Sequence, residues 1–297
     1  MNHKIYGHAP SVDLHYDGPL TRKTAELILA MNLSTCLVGL GLSLLASCSN
    51  LPMPGGSVGS GASADALSVL KRSAAKSGNP WQRYRHVEVS YSGKWSYLAT
   101  RLQPVLTDPG FRHGSVESYQ PRSKRVRQLH SGPQGTKRVT RQGSKTEVVL
   151  NGKISNNSEV TAAAALVVDA YTAFLFGPSW LLGSSSELTL LEQKPLGGES
   201  CTLVAGKLRP GIGSAAADDF IAWIGNDSGL MRRFQFSLNA LDSTRGADVE
   251  VTFSDHWKAT DGSIWPGHFV ETIERPILTK AHDWRLTGLR LDGRKMR

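Results

Sequence analysis

The sequence predicts an α+β domain: an antiparallel sheet with one apolar face, and helices that cover that face. Three observations predict it. From Trp81 onward, apolar and polar residues alternate with a period of two in one short segment after another, with turn residues between them. One long segment, residues 160–176, is apolar on nearly every side. An apolar run that stops at Cys48 and gives way to Gly, Ser and Pro sets the preceding residues apart from the folded part.

Apolar residues dominate positions 27–46, with Arg22 and Lys23 upstream and no charge between Glu26 and Cys48. The cleanest part, residues 37–46, has the length of a secretory h-region, roughly 7 to 15 residues, and is short for a membrane span of roughly 20. It ends in Leu45-Ala46-Ser47-Cys48. This resembles the lipobox of bacterial lipoproteins, in which small residues fit a peptidase and the cysteine sulfur carries a diacylglycerol. The resemblance implies a signal peptide over residues 1–47 and Cys48 as the lipidated first residue of the mature chain. Ser49, rather than an aspartate, then implies the outer membrane, with the protein facing the periplasm.

Composition narrows the partners. Three basic and three acidic residues in the leader cancel, so the net charge of +9 survives processing. A basic exported protein meets anionic lipid heads and glycolipid phosphates, and no nucleic-acid partner is expected. Of three cysteines, Cys36 leaves with the leader and Cys48 is lipidated, so Cys201 alone stays a thiol. With no intramolecular disulfide possible, stability must come from an ordinary core. Cys201 reads as a buried, inert thiol within the strand-like "ESCTLVAGKL".

Residues 48–63 are rich in Gly, Ser and Pro and read as a flexible tether; a single domain is expected over residues 64–297. "ASADALSVLKRSAAK" reads as a short amphipathic helix capped by Ser63 or Asp65 and closed by Gly78. "YRHVEVSY" and "WSYLATRLQPVL" follow about a Ser-Gly turn. Residues 112–145 set nine lysines and arginines against one acid, Glu117, and read as strands separated by Gly-Pro, Gln-Gly and Asn-Gly turns. In "KRVRQLH" the charges flank Val126, which predicts a strongly cationic sheet face carrying Arg122, Lys124, Arg125, Arg127, Lys137 and Arg138. The long helix that follows has Ser158 as its expected N-cap and Gly177-Pro178 as its stop. Asp169 at its middle argues for burial rather than a membrane span. The rest reads as a meander of short strands with hairpin turns at Asn226-Asp227-Ser228-Gly229 and Asp261-Gly262.

The opening helix and hairpin of residues 64–100, the mid-chain apolar helix, and above all the closing meander resemble the LolA/LolB-like family of periplasmic lipoprotein carriers and outer-membrane lipoprotein receptors. In the meander, "IAWIGNDSGLMRRFQFSL" reads as strand, turn and strand. "VEVTFSDHWKATDGSIWPGHFVETI" adds a strand, a polar link, an Asp-Gly turn, an aromatic-Pro and another strand. The resemblance implies an α+β fold, a curved antiparallel sheet forming an incomplete β-barrel, with helices over its concave apolar face. It also implies a cavity for acyl chains or another hydrophobic ligand.

The expected cavity residues are Tyr171 and Phe174 from the helix, with Trp223, Phe234, Phe236, Val251 and Phe253 from the sheet. The expected partners are the membrane, through the N-terminal lipid, an acyl-chain ligand, and an envelope protein that docks on the basic face. No cofactor, metal or catalytic residue is expected. The sequence holds no HExxH, CxxC or phosphate-cradling glycine loop. Two other classes stay open: an adaptor lipoprotein with a packed core, and a metal-dependent hydrolase in which His256, His268 and His282 converge across strands.

Cys48→Ala should leave an unprocessed precursor without diacylglycerol. Intact-mass measurement of the purified chain checks this, and a wild-type protein free of lipid would refute the lipobox reading.

Overall fold

The computed structural model describes Leu51 and residues 63–297; the leader, Cys48 and most of the expected tether lie outside the described residues. The chain begins with α1 (Ala64–Lys76) and α2 (Pro80–Arg83), then β1 (Val87–Trp95), α3 (Tyr97–Leu102) and α4 (Pro104–Thr107). Next come β2 (Gly114–Gln120), β3 (Arg125–Gly132), β4 (Gly135–Gln142), β5 (Lys145–Leu150) and β6 (Lys153–Ile154). Helices α5 (Ser158–Phe176) and α6 (Pro178–Ser184) separate these from β7 (Ser185–Leu190), β8 (Lys194–Leu196), β9 (Glu199–Leu208) and β10 (Asp218–Gly225). The closing strands are β11 (Met231–Leu238), β12 (Ala247–Ser254), β13 (Trp257–Lys258), β14 (Ile264–Trp265), β15 (His268–Arg275), β16 (Thr279–Leu291) and β17 (Arg294–Lys295).

Apart from the small β13–β14 hairpin, these strands form one antiparallel sheet in the order β6-β5-β4-β3-β2-β1-β16-β15-β12-β11-β10-β9-β7. Strands β17 and β8 lie beside β16 and β9. Most sheet neighbours follow one another closely in sequence, β12 pairing with β15 past the β13–β14 hairpin and β7 with β9 past β8; the long-range join is β1 with β16, from Val87↔Leu291 to Trp95↔His282. The sheet does not close: β6 and β7 are its two edges. Register slips at Ser90/Tyr91, Trp223/Ile224, Asp248/Val249 and Glu271/Thr272 bend the strands, the local effect of a β-bulge. The expected fold class is the one observed.

Helix α5 fills the concave side. Its N-cap is Asn157 rather than Ser158, since Asn157 Oδ1 accepts the N–H groups of Glu159 and Val160 at 2.9 and 3.1 Å. Gly177, at φ 50° and ψ −130°, ends it, and Pro178 opens α6. The helix is long and apolar enough to cross a membrane. It is instead buried from Ala163 to Phe176, except for the half-buried Asp169, against β4, β5, α4, α6 and the turn at Ile212–Ser214. Phe174 sits 5.6 to 6.2 Å, ring to ring, from Phe236, Phe253 and Phe269.

Two carboxylates fasten that turn, Asp169 to the helix and Asp218 to the start of β10. Asp169, the charge at the middle of α5, receives Arg141 Nε and Nη2 at 2.7 and 2.6 Å and the Gly213 N–H at 3.0 Å. Asp218 accepts the Ile212 N–H at 2.7 Å and Asn239 Nδ2 at 2.8 Å. Gly213 has φ 68°, and a Cβ there would lie 2.9 Å from Leu166 Cα, so only glycine lets the turn press on the helix. Burial holds the Asp169 carboxyl above its usual range and lifts that of Asp218 to about 7.

Truncating Phe174 to alanine should cost roughly 3 to 5 kcal/mol in urea unfolding, the range for a large buried aromatic. The Asp218 pKa gives a second expectation. A carboxyl that holds its proton more tightly folded than unfolded loses stability as pH rises between the two pKa values. Stability should therefore fall between about pH 4 and pH 7, by at most about 1.4 kcal/mol per pH unit from this group. Asp218→Asn should flatten that slope, read as the difference between the two proteins' unfolding free energies across the window.

Candidate functional site

Side chains of α5 and of the sheet's concave face meet in an aromatic wall. Phe234 stacks on Phe236 at 5.3 Å, and Phe220 meets Phe234 at a tilt, 5.8 Å away. Val249, Val251 and Phe253 continue the row on β12, and each is at most 1% exposed. Tyr171 reaches Tyr91, Phe269 and Trp284 from the helix. Six of the seven expected cavity residues thus come together.

Trp223 does not. It lies on the outer face of β10, against Leu51, Cys201, Leu203, Ala205 and Ile221. Its Nε1 donates to Gln235 Oε1 at 2.8 Å and the Arg233 guanidinium covers its ring at 4.9 Å. The segment "DDFIAWIG" is apolar at five successive positions, so alternation cannot tell which face Trp223 takes.

The concave face is not apolar throughout. On β2 to β4 it carries Ser115, Glu117, Gln128, His130, Lys137 and Arg141, all buried. Arg112, 1% exposed, lies beside them. Its guanidinium donates to the Leu106 carbonyl at 2.8 Å and to Tyr171 Oη, and packs against the rings of Trp95, Tyr171 and Trp284 at 4.7, 5.1 and 5.7 Å. These cation–π contacts offset part of the cost of burying the charge. Glu117 accepts from Ser115 Oγ at 2.9 Å and from Tyr119 Oη, and burial holds its carboxyl above the usual range. His130 is kept neutral by burial and by the charges of Arg112 and Lys137. Among the described residues, the N–H groups Trp95 Nε1, Arg112 Nε and Trp284 Nε1 of this region find no acceptor, and Nδ1 of His130 and of His282 finds no partner.

The basic face needs one correction. Arg122, Lys124, Arg127 and Arg138 are exposed and Arg125 is half-buried, as expected of a cationic outer surface. Lys137 instead points inward, buried, with Nζ 2.5 Å from Asp108 Oδ2. Period two explains it: Lys137, Val139 and Arg141 share one face of β4 and Arg138 the other. The sequence shows that alternation, but a run of charges disguises which face is inside.

The three histidines do not converge. His282 is on the concave face, with Nε2 2.5 Å from Glu271 Oε2. His268 is partly exposed, with Nδ1 2.9 Å from Ser254 Oγ and Nε2 2.6 Å from Asp283 Oδ1. Serine and aspartate thus contact the opposite ring nitrogens from those of a Ser-His-Asp hydrolase triad. Among the described residues no group of three His, Cys, Asp or Glu is placed to hold a metal ion.

Apolar side chains also collect on the surface at α3 and the β15–β16 turn. Tyr97, Leu98, Leu102, Ile277 and Leu278 are 40 to 73% exposed. The Ser96 N–H donates to the Ala281 carbonyl at 2.8 Å, which sets α3 beside the start of β16. The inner side of the α3–α4 segment faces the core through Ala99, Val105, Leu106 and Thr107. Where α5 and α1 meet β11 and β12, a half-open space of about 30 Å³ is lined by Ser73, Phe174, Met231, Phe253 and Ile264, among others. It has room for a water or two, not for an acyl chain.

No family model matches the chain, and no curated protein matches it in sequence. Among solved structures it is similar to a DUF1329 family protein from Desulfovibrio piger, at 10% identity over 77% of this chain and 92% of that one, with a TM-score of 0.46. It is similar to a LolA superfamily protein from Nitrosomonas europaea, at 10% identity over 76% and 93%, with a TM-score of 0.44. It is also similar to the Mycobacterium tuberculosis lipoprotein LppX, at 17% identity over 59% and 89%, with a TM-score of 0.27. At these identities and scores the likeness brings no ligand, partner or activity to this chain. The arrangement itself, an open antiparallel sheet with helices over its concave face, is the one that the sequence resemblance to LolA/LolB-like proteins implies.

Proposed function

We propose that this protein is a binding protein of the bacterial envelope, anchored to the outer membrane through Cys48 and facing the periplasm. Its ligand is an amphiphile, with an acyl chain along the aromatic wall and an oxygen-bearing head on the buried polar one. The division of the concave face into these two walls carries the reading. A core built for stability alone gains nothing from an enclosed arginine or from buried N–H groups without acceptors, each of which costs roughly 1 to 3 kcal/mol. The unpartnered indole and guanidinium N–H groups can only donate, so the head that suits them is an acceptor, a carboxylate or an ester. Burying methylenes at about 0.8 kcal/mol each supplies the affinity for the chain.

The interior is closed, so the ligand enters by displacing what covers it. The α3–α4 segment is the element suited to move, because it is short and its outer surface is already apolar. A second reading, an adaptor that docks an envelope protein, is favoured by the outer face of β2 to β4. There, exposed Arg127 and Arg138 surround the exposed cross-strand pair Val116 and Leu129.

Binding of a fluorescent fatty acid separates the two. The wild-type protein should bind the probe, Phe236→Glu should lose it, and Arg112→Leu should bind an uncharged alkyl probe but release the fatty acid at least about tenfold more readily. Equal binding by wild type and Phe236→Glu, or no binding by the folded wild type, would favour the adaptor.

A further inference from the structure

The outer face of β9 and β10 is apolar where a sheet face turned away from its core is ordinarily wet. Cys201, Leu203 and Ala205 on β9 stand beside Ile221 and Trp223 on β10, with Ala205 opposite Ile221 and Leu203 opposite Trp223 in the register. None is more than 7% exposed. Leu191 and Leu196 pack at the margin, and the residue buried with the cluster is Leu51, 9% exposed. The chain is fastened again nearby: the Ser63 N–H donates to the Leu188 carbonyl at 2.8 Å, on the strand that pairs with β9.

We propose that Leu51 is a clip, which docks the start of the mature chain on the outer face of β9–β10 and so sets which side of the domain faces the bilayer. Its bearing on the membrane rests on the Cys48 anchor. Leu51 follows Cys48 by three residues, and an extended chain spans at most about 3.3 to 3.6 Å per residue. The lipidated sulfur therefore cannot lie much more than about 10 Å along the chain from the clip. A free tether would let the domain tumble about its anchor; a clipped one holds β8–β10 against the lipid heads and the basic outer face of β2 to β4 away from them. Occupation of the patch also accounts for a run of apolar residues on both faces of β10, which the core alone does not need.

Two measurements on the full-length chain, with labelling read at Cys201 by peptide mass, test the clip itself. Cys201 should resist maleimide in the wild type and in Leu51→Met, and react about tenfold faster or more in Leu51→Asp with the circular dichroism unchanged. Leu51→Cys should form a disulfide with Cys201 under mild oxidation. Failure of both would overturn the proposal. Orientation is read from a fluorophore on Lys194→Cys or on Arg138→Cys, in phosphatidylethanolamine–phosphatidylglycerol vesicles with brominated chains. Quenching at position 194 and not at 138 supports it, and the reverse order overturns it. A protein that protects Cys201 yet binds no vesicles keeps the clip and refutes the anchor.

Discussion

The structure depends on one constraint: a helix that is apolar on nearly all sides must be enclosed on nearly all sides. A sheet with one apolar face covers only part of such a helix, so α5 recruits α4, α6 and the Ile212–Ser214 turn to cover the rest. Its single charged residue past the first turn then has to be matched inside. Asp169 is matched by Arg141 in a two-pronged contact, which ties the helix to β4 and, through Gly213, to the turn before β10. Separate stretches of the chain are thus held in register by one ion pair, and an apolar helix acquires a unique position along the sheet.

That demand also explains why the concave face changes character along its width. Strands β11, β12 and β15 meet the aromatic end of α5 and answer it with Phe234, Phe236, Phe253 and Phe269. Strands β2 to β4 are curved around the same space but supply Glu117, Gln128, His130, Lys137 and Arg141. Ionisable groups in a low-dielectric interior are costly unless partnered, and most here are: Lys137 with Asp108, Arg141 with Asp169, Glu117 with Ser115 and Tyr119. Arg112 is the exception. It is held by a carbonyl, a phenol and three rings, with no carboxylate in ion-pair range among the described residues.

Much of the fold was legible in the sequence, because period two and period 3.6 are hard to confuse over long segments. The meander, the long helix and its Gly177-Pro178 stop all follow from spacing and turn chemistry. The helix cap moved one residue, to Asn157, because both Asn157 and Ser158 offer an oxygen and only the backbone decides which stands outside the first turn. The site was less legible. Phe174, Phe236 and Phe253 announce themselves by size and alternation. Trp223 did not, since an uninterrupted apolar run has no phase, and its outward face is explained by Leu51, far off in sequence. Lys137 and Arg112 were hidden by their neighbours: in a segment dense with cations, charge ceases to mark the outside, and only the partners Asp108 and Tyr171 reveal which ones turn in.

An open sheet has two free margins, and both are blunt. Strand β6 is two residues long, and the chain leaves it within a few residues to cap α5 at Asn157; β7 slips register between Ser186 and Thr189. Neither offers a long straight row of backbone donors and acceptors to another molecule's strand. Proteins anchored in one bilayer meet edge to edge at high local concentration, which is where strand addition between copies would be fastest. A half-barrel finished in this way gives strand addition between copies little to build on.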